Sequence, residues 1–212
     1  MMIINPFINK PAHIIPPYVK ILMPLNSVDG FTDIANNHAI TVVGSPTIST
    51  TQSKFGAGAL LVSAGNYLRI ATTPTLELGN RNVLTVECWA YITSNGGIFS
   101  TRTLSNYTNF SVKREYTLIG NAALNNWFFI NATPPMNQWV HIALVLDGTN
   151  IKEYINGVQT AEIVAHPLWP SDNHFLNIGS DHDGSMAGYI NDLRISDTAV
   201  YTSDFTPPTS PF

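Results

Sequence analysis

Charge is what this sequence has least of. Asp, Glu, Lys and Arg make up only 11% of its 212 residues, against roughly one quarter in ordinary soluble domains. Acidic residues outnumber basic ones, and the net charge is −4. The basic residues form no cluster beyond the adjacent pair Lys113-Arg114. The positive footprint that holds phosphate backbones is therefore missing, and nucleic acid is excluded as a partner. A surface this poor in charge must take its polarity from Asn, Thr and Ser, or be covered by partners.

Cysteine is limited to Cys88, so no internal disulfide can form, which fits synthesis in a reducing cytosol. Cys88 lies between Glu87 and Trp89 in a strand-like run, where a small buried residue is expected and nothing activates a thiol. Long apolar runs are missing as well. Pro6, Pro11, Pro16, Pro17 and Pro24 interrupt the first segment well short of a signal peptide or a membrane span.

What is there is alternation. Across Gln138–Leu146, Trp139, His141, Ala143 and Val145 fall on one face and Val140, Ile142, Leu144 and Leu146 on the other. A strand with apolar residues on both faces suits one side in a core and the other covered. A polar break at 147–150 separates it from a second strand, Ile151–Ile155, which runs into Asn156-Gly157. Asn-Gly between β-prone residues signals a tight hairpin, because both positions tolerate positive φ. A further strand is read at Ala161–Ala165. Val83–Ile92 alternates in the same way, and 109–113, 116–119, 127–131, 175–179 and 186–195 read as more strands. About a dozen short strands without a convincing helix predict an all-β, two-sheet antiparallel sandwich.

Residues 1–17 do not fit that sandwich. Proline recurs too often for a central strand, yet Ile3, Ile4, Phe7, Ile14 and Ile15 are too apolar for a free solvated tail. They read as an extended arm for docking or strand exchange, or as a wrap around the chain's own domain; the domain itself occupies 18–212.

Trp-Val-His-Ile-Ala at 139–143 followed by Tyr154-Ile155-Asn156-Gly157 resembles laminin-G-like, concanavalin A-like jelly-roll domains. Four more segments agree in order: Ser53–Gly56 with Ala59-Leu60, Leu84–Trp89, Leu176–Gly179, and Gly188–Ile195. Tyr201 and Phe205–Pro208 resemble the way such domains end. The resemblance implies a jelly roll over about residues 20–212 and says little of function, because one sandwich hosts many activities.

This version, with its N-terminal strand and Phe-Thr-Pro-Pro ending, is similar to modules of bacteriophage virion proteins. That similarity implies a capsid decoration or cement protein of the virion, made in the host cytoplasm and anchored by its arm to capsid or other virion structural proteins. A homo-oligomer is left open, and no membrane partner is expected. The alternative is a carbohydrate-binding module that recognises a host surface glycan.

Catalysis is not expected. Glycoside hydrolysis needs two carboxylates flanking the bond, and the hydrolase relatives carry closely alternating acids on one strand. Here Glu77, Glu87, Glu115, Glu153 and Glu162 each lack a second acid within two residues. Glu87 is expected on the face opposite the core, beside Trp89. His141 is expected to be packed and hydrogen-bonded.

A glycan site needs exposed aromatics beside amides or carboxylates. Trp127, Tyr107 and Trp169 have such neighbours, although Trp127 also suits a core and Trp169 also suits packing on prolines or a protein partner. Calcium is an open alternative rather than a required cofactor. Asp33 and Asp192 supply the hard oxygens it takes, but the loop at 33–37 lacks the glycine turn of related domains.

Overall fold

The computed structural model describes residues 14–71, 73, 76, 78, 82–102, 109–121, 126–148, 150–164 and 175–212. The chain opens with β1 (Val19–Met23), β2 (Ile40–Val43), β3 (Thr47–Ser49), β4 (Ala59–Val62), β5 (Tyr67–Ala71) and β6 (Val83–Ile92). Next come β7 (Gly97–Ser100), β8 (Asn109–Lys113), β9 (Thr117–Asn121), β10 (Asn126–Ile130), β11 (Trp139–Asp147) and β12 (Asn150–Ile155). β13 (Val158–Ile163), β14 (Phe175–Ile178), β15 (Ser180–Asp181), β16 (Gly184–Ser185) and β17 (Gly188–Ser196) complete it. Among the described residues no helix is long and apolar enough to cross a membrane.

The strands form the antiparallel two-sheet sandwich of a concanavalin A-like jelly roll. One sheet runs β13-β12-β11-β6-β17-β4-β3, with β1 also paired to β17. The other runs β10-β9-β8-β7-β14-β5-β2, with the short β15–β16 pair against β7. Alternation decides the core. Leu84, Val86, Cys88, Ala90 and Ile92 of β6 point inward beside Val140, Ile142, Leu144 and Leu146 of β11. Phe99, Phe110, Ile119, Leu176 and Ile178 of the second sheet belong to the same cluster. Each fully buried side chain of this size stabilises the fold by about 1.5–3 kcal/mol.

The second face of β11 is buried as well, because the C-terminal tail crosses it. Ala199, Tyr201 and Phe205 pack on Ala143, Val145 and Tyr154 as a small second core. The tail is anchored at the β12–β13 turn. Asn156 and Gly157 have φ of 51° and 78°, as the hairpin expectation required, and the Phe205 amide donates to the Gly157 carbonyl at 2.8 Å.

Several strand limits differ from the sequence reading, two of them around the central hairpin. The β11–β12 ladder runs on to Asp147↔Asn150, so the polar break is a tighter hairpin connection. β13 begins directly after Gly157 rather than at Ala161, because the turn hands Val158 straight back to Ile155. In the arm, Ile14 is 90% exposed and Ile15 is half-buried. Ile3, Ile4 and Phe7 lie outside the described residues.

Candidate ligand-binding face

The outward faces of the two sheets are put to different uses. On the first sheet, Glu87 of β6 sits beneath the tail and is fully buried. Its Oε1 accepts from Arg194 Nε at 2.8 Å and lies 2.7 Å from Nη2. Its Oε2 accepts from the Tyr201 hydroxyl at 2.8 Å and pairs with His141 Nε2 at 3.0 Å. That contact assigns the imidazole proton to Nε2, since a carboxylate only accepts. Burial raises the Glu87 carboxyl, but His141, Arg194 and Tyr201 together outweigh it and hold the group below its ordinary range. The guanidinium of Arg194 in turn stacks 4.0 Å from the Phe212 ring centre. His141 is thus packed and hydrogen-bonded, and Glu87 binds the tail instead of lining an open surface.

On the second sheet, register builds a row across seven strands. Thr41, Arg69, Asn177, Ser100, Ser111, Leu118 and Phe129 stand opposite one another in turn. Its middle members, Asn177, Ser100 and Ser111, are buried, so the row opens at its two ends. At one end Arg69 donates to Asn177 Oδ1 at 2.9 Å and lies 3.7 Å over the Phe175 ring.

The other end is apolar. Leu118, Trp127 and Phe129 surround a shallow hollow of about 370 Å³ with Arg102 at its wall. Phe129 is 58% exposed and meets Tyr116 edge to face at 5.5 Å. Trp127 pairs with Gly120, which places no side chain beside the indole on that strand.

Charge borders the hollow. Asp183 Oδ2 accepts from Arg102 Nη1 at 2.7 Å and from Lys113 Nζ at 3.2 Å. Asp181, buried behind it, accepts from the Ser100 hydroxyl at 3.1 Å and lies 3.6 and 3.7 Å from the same two cations. Burial raises the Asp183 carboxyl, yet Arg102 and Lys113 hold it below its ordinary range. Burial likewise pulls Lys113 down, and Asp183, Tyr116 and Asp181 keep it above. Asp183 is thereby held ionised, so it is no proton donor at neutral pH. The Ser111 hydroxyl, beside Leu118 in the row, is buried without a hydrogen-bond partner among the described residues.

Of the aromatics proposed for glycan contact, Trp127 is on this face, half-buried; Tyr107 and Trp169 lie outside the described residues. Arg102, Lys113, Leu118, Phe129 and Asp183 were not singled out from the sequence. Phe129 was legible, because period-two alternation puts it on the face of Trp127.

The two candidate calcium ligands differ in what they already hold. Asp33 is buried, and its Oδ1 accepts the amides of Leu22 and Ala35, each at 3.0 Å. Its Oδ2 takes the amides of Asn36 and His38 and pairs with His38 Nδ1 at 2.8 Å. Asp192 accepts the Phe212 amide at 2.9 Å on Oδ2. Burial pushes its carboxyl up to about 7, and its Oδ1 is buried without a hydrogen-bond partner among the described residues. Among the described residues no group of three His, Cys, Asp or Glu is placed to hold a metal.

Residues 63–204 match the family described as the concanavalin A-like lectin/glucanases superfamily. No curated protein sequence matches the chain. Among solved structures, one similar fold is domain 4 of AbnA, a GH43 extracellular arabinanase from Geobacillus stearothermophilus, in complex with arabinotriose. It has a TM-score of 0.66 at 18% identity, over 86% of this chain and 94% of that one. The binding domain of Paraclostridial Mosquitocidal Protein 1 gives 0.68 at 11%, over 87% and 50%. The binding domain of botulinum neurotoxin DC, in complex with rat synaptotagmin II, gives 0.67 at 13%, over 87% and 49%. The chain spans about half the length of these two toxin domains. At such identities the likeness is one of fold.

Proposed function

The chain belongs to the concanavalin A-like lectin/glucanases superfamily, and from that premise we propose that it is a non-catalytic, glycan-binding domain. The observation that carries this reading is the Trp127–Leu118–Phe129 hollow. Flat apolar rings with charged and hydroxyl groups at their border suit a sugar, which has apolar C–H faces and polar edges. The arabinotriose held by the arabinanase domain supports the reading by analogy of fold alone. The chemistry of the border argues for binding over turnover. Asp181 and Asp183 share the same two cations, and Asp183, held below its ordinary range, is not the protonated acid that glycoside hydrolysis needs.

The test is a glycan array probed with the full chain and with Trp127→Ala. Loss of bound glycans with unchanged unfolding midpoint supports the hollow; an identical binding profile for the variant refutes it.

A second reading places the domain on a bacteriophage virion as a decoration protein held by its arm to capsid components. Its support is Ile14, which leaves an isoleucine 90% exposed where the arm meets the domain, next to Tyr18 at 42%. Apolar side chains left in water favour a covering partner. Deleting residues 1–17 should abolish binding to empty capsids while leaving the domain folded. Capsid binding that survives the deletion overturns this reading.

A further inference from the structure

Away from the Trp127 hollow, where β1 begins and the 33–39 loop passes it, the fold forms a solvent-open cavity of about 680 Å³. Its walls carry Lys20, Asn36, His38, Thr73 and Asp197, with Ala39 at the rim. It shares no residue with the hollow and lies within the roughly 300–1,000 Å³ of small-ligand sites.

The walls are held from behind. Asp33 gathers the amides of Leu22, Ala35, Asn36 and His38, which fixes the loop to β1. It also grips His38 Nδ1 at 2.8 Å, setting the plane of an imidazole whose side chain is 8% exposed. Asn36 Nδ2 donates to the Lys20 carbonyl at 2.9 Å and the Val19 carbonyl at 3.3 Å. Both amide hydrogens are thereby committed to β1, and the Asn36 carbonyl oxygen is the group left to accept from a ligand. Lys20 Nζ donates to the Pro17 carbonyl at 3.0 Å and pairs with Asp197 at 2.8 Å. Asp197 is tied to β1 in turn, its amide donating to the Tyr18 carbonyl at 2.8 Å.

This lining selects a chemical class. Lys20 and Asp197 neutralise one another, so an anion would face a carboxylate and a cation would face an ammonium. Among the described residues that line it, only Ala39 is apolar, a poor wall for a hydrophobic ligand. The Lys20 ammonium and the Asp197 carboxylate lie 2.8 Å apart in one lining that Asn36 shares, a mix of donor and acceptors that matches hydroxyl groups, each able to donate and accept. We propose that this cavity is a second binding site, for a neutral saccharide, with Lys20 donating and Asn36 and Asp197 accepting. Unlike the hollow, it shows no Phe, Tyr or Trp among its described lining residues, so the two sites prefer different sugars.

The experiment is an array of neutral oligosaccharides, supplemented with sulfated and phosphorylated ones, probed with the full chain, Trp127→Ala, Ala39→Trp and Lys20→Met. Ala39 is exposed at the rim, so a tryptophan there fills the cavity without entering the core. Lys20→Met removes the donor should the larger substitution disturb folding. The expected result is a set of neutral glycans retained by Trp127→Ala and weakened at least tenfold by Ala39→Trp or Lys20→Met. The proposal is overturned if no neutral glycan survives Trp127→Ala. It is also overturned if the survivors bind both cavity variants within twofold, or if only anionic glycans depend on Lys20. Failure of the hollow reads out separately, as a profile unchanged by Trp127→Ala.

Discussion

Gly157 and Phe205 are closed against each other: the Phe205 amide donates to the Gly157 carbonyl at 2.8 Å, and a Cβ on Gly157 would overlap the Phe205 carbonyl. With φ at 78° the position also disfavours any L side chain. Gly157→Ala should therefore lower stability by about 2–4 kcal/mol, combining backbone strain with displacement of the tail. Gly148→Ala is the control. Its φ is 67° and nothing lies within 4 Å of its Cβ, so it should cost only about 1 kcal/mol. Urea unfolding of the two variants separates the contributions; equal losses would mean that the tail does not press on the turn.

Glu87 is the buried anchor of that tail. Glu87→Gln keeps the shape but leaves Arg194 without its carboxylate, and should cost about 3–5 kcal/mol. Adding Arg194→Met removes the orphaned charge and should restore part of the loss. A double variant no more stable than the single one would show that the pair is not coupled.

Stability should fall as the solution turns alkaline. Burial raises the Glu153 carboxyl to about 7 against the pull of the Thr117 and Thr160 hydroxyls, and burial raises Asp192 to about 7 as well. The folded state holds these protons more tightly than the unfolded chain, where such carboxyls titrate near about 4. Their contribution is therefore complete below about pH 4 and is lost as pH rises through about 7. The denaturant midpoint should be higher at about pH 6 than at about pH 8. Glu153→Gln should flatten part of a difference on the order of 1–3 kcal/mol. A midpoint independent of pH across that window would contradict it.

Cys88 should be silent. It is fully buried in the core cluster, and burial together with Glu87 and Asp192 raises its thiol far above the usual range. A thiol reagent should label it only at the rate of unfolding. Labelling in native buffer within minutes would show that the sandwich opens.

The double-faced alternation of 83–92 and 139–146 was enough to place the centre of the sandwich, because strand period is a local property of the chain. The Asn156-Gly157 turn was legible for the same reason. The tail network was not. Arg194 and Tyr201 lie 107 and 114 residues from Glu87, and no local pattern announces such a pairing. Glu87 consequently read as a surface carboxylate. Asp33 read as a calcium candidate because a carboxylate that gathers loop amides and one that holds a cation look alike in sequence. Trp127 stood out by its neighbours, whereas Asp183 reaches this face only through the docking of β15–β16 on β7.

The tail across the first sheet has a consequence for how the molecule is made. Ala143, Val145 and Tyr154 are covered by Ala199, Tyr201 and Phe205, so that patch stays wet on a nascent chain until residues 199–205 have emerged from the ribosome. Contacts of such long separation form late. Most of the inter-sheet core can assemble before then, but the outer face of β11 is completed only once residues 199–205 have emerged, and a chain stalled before residue 199 would display an adhesive surface to its neighbours.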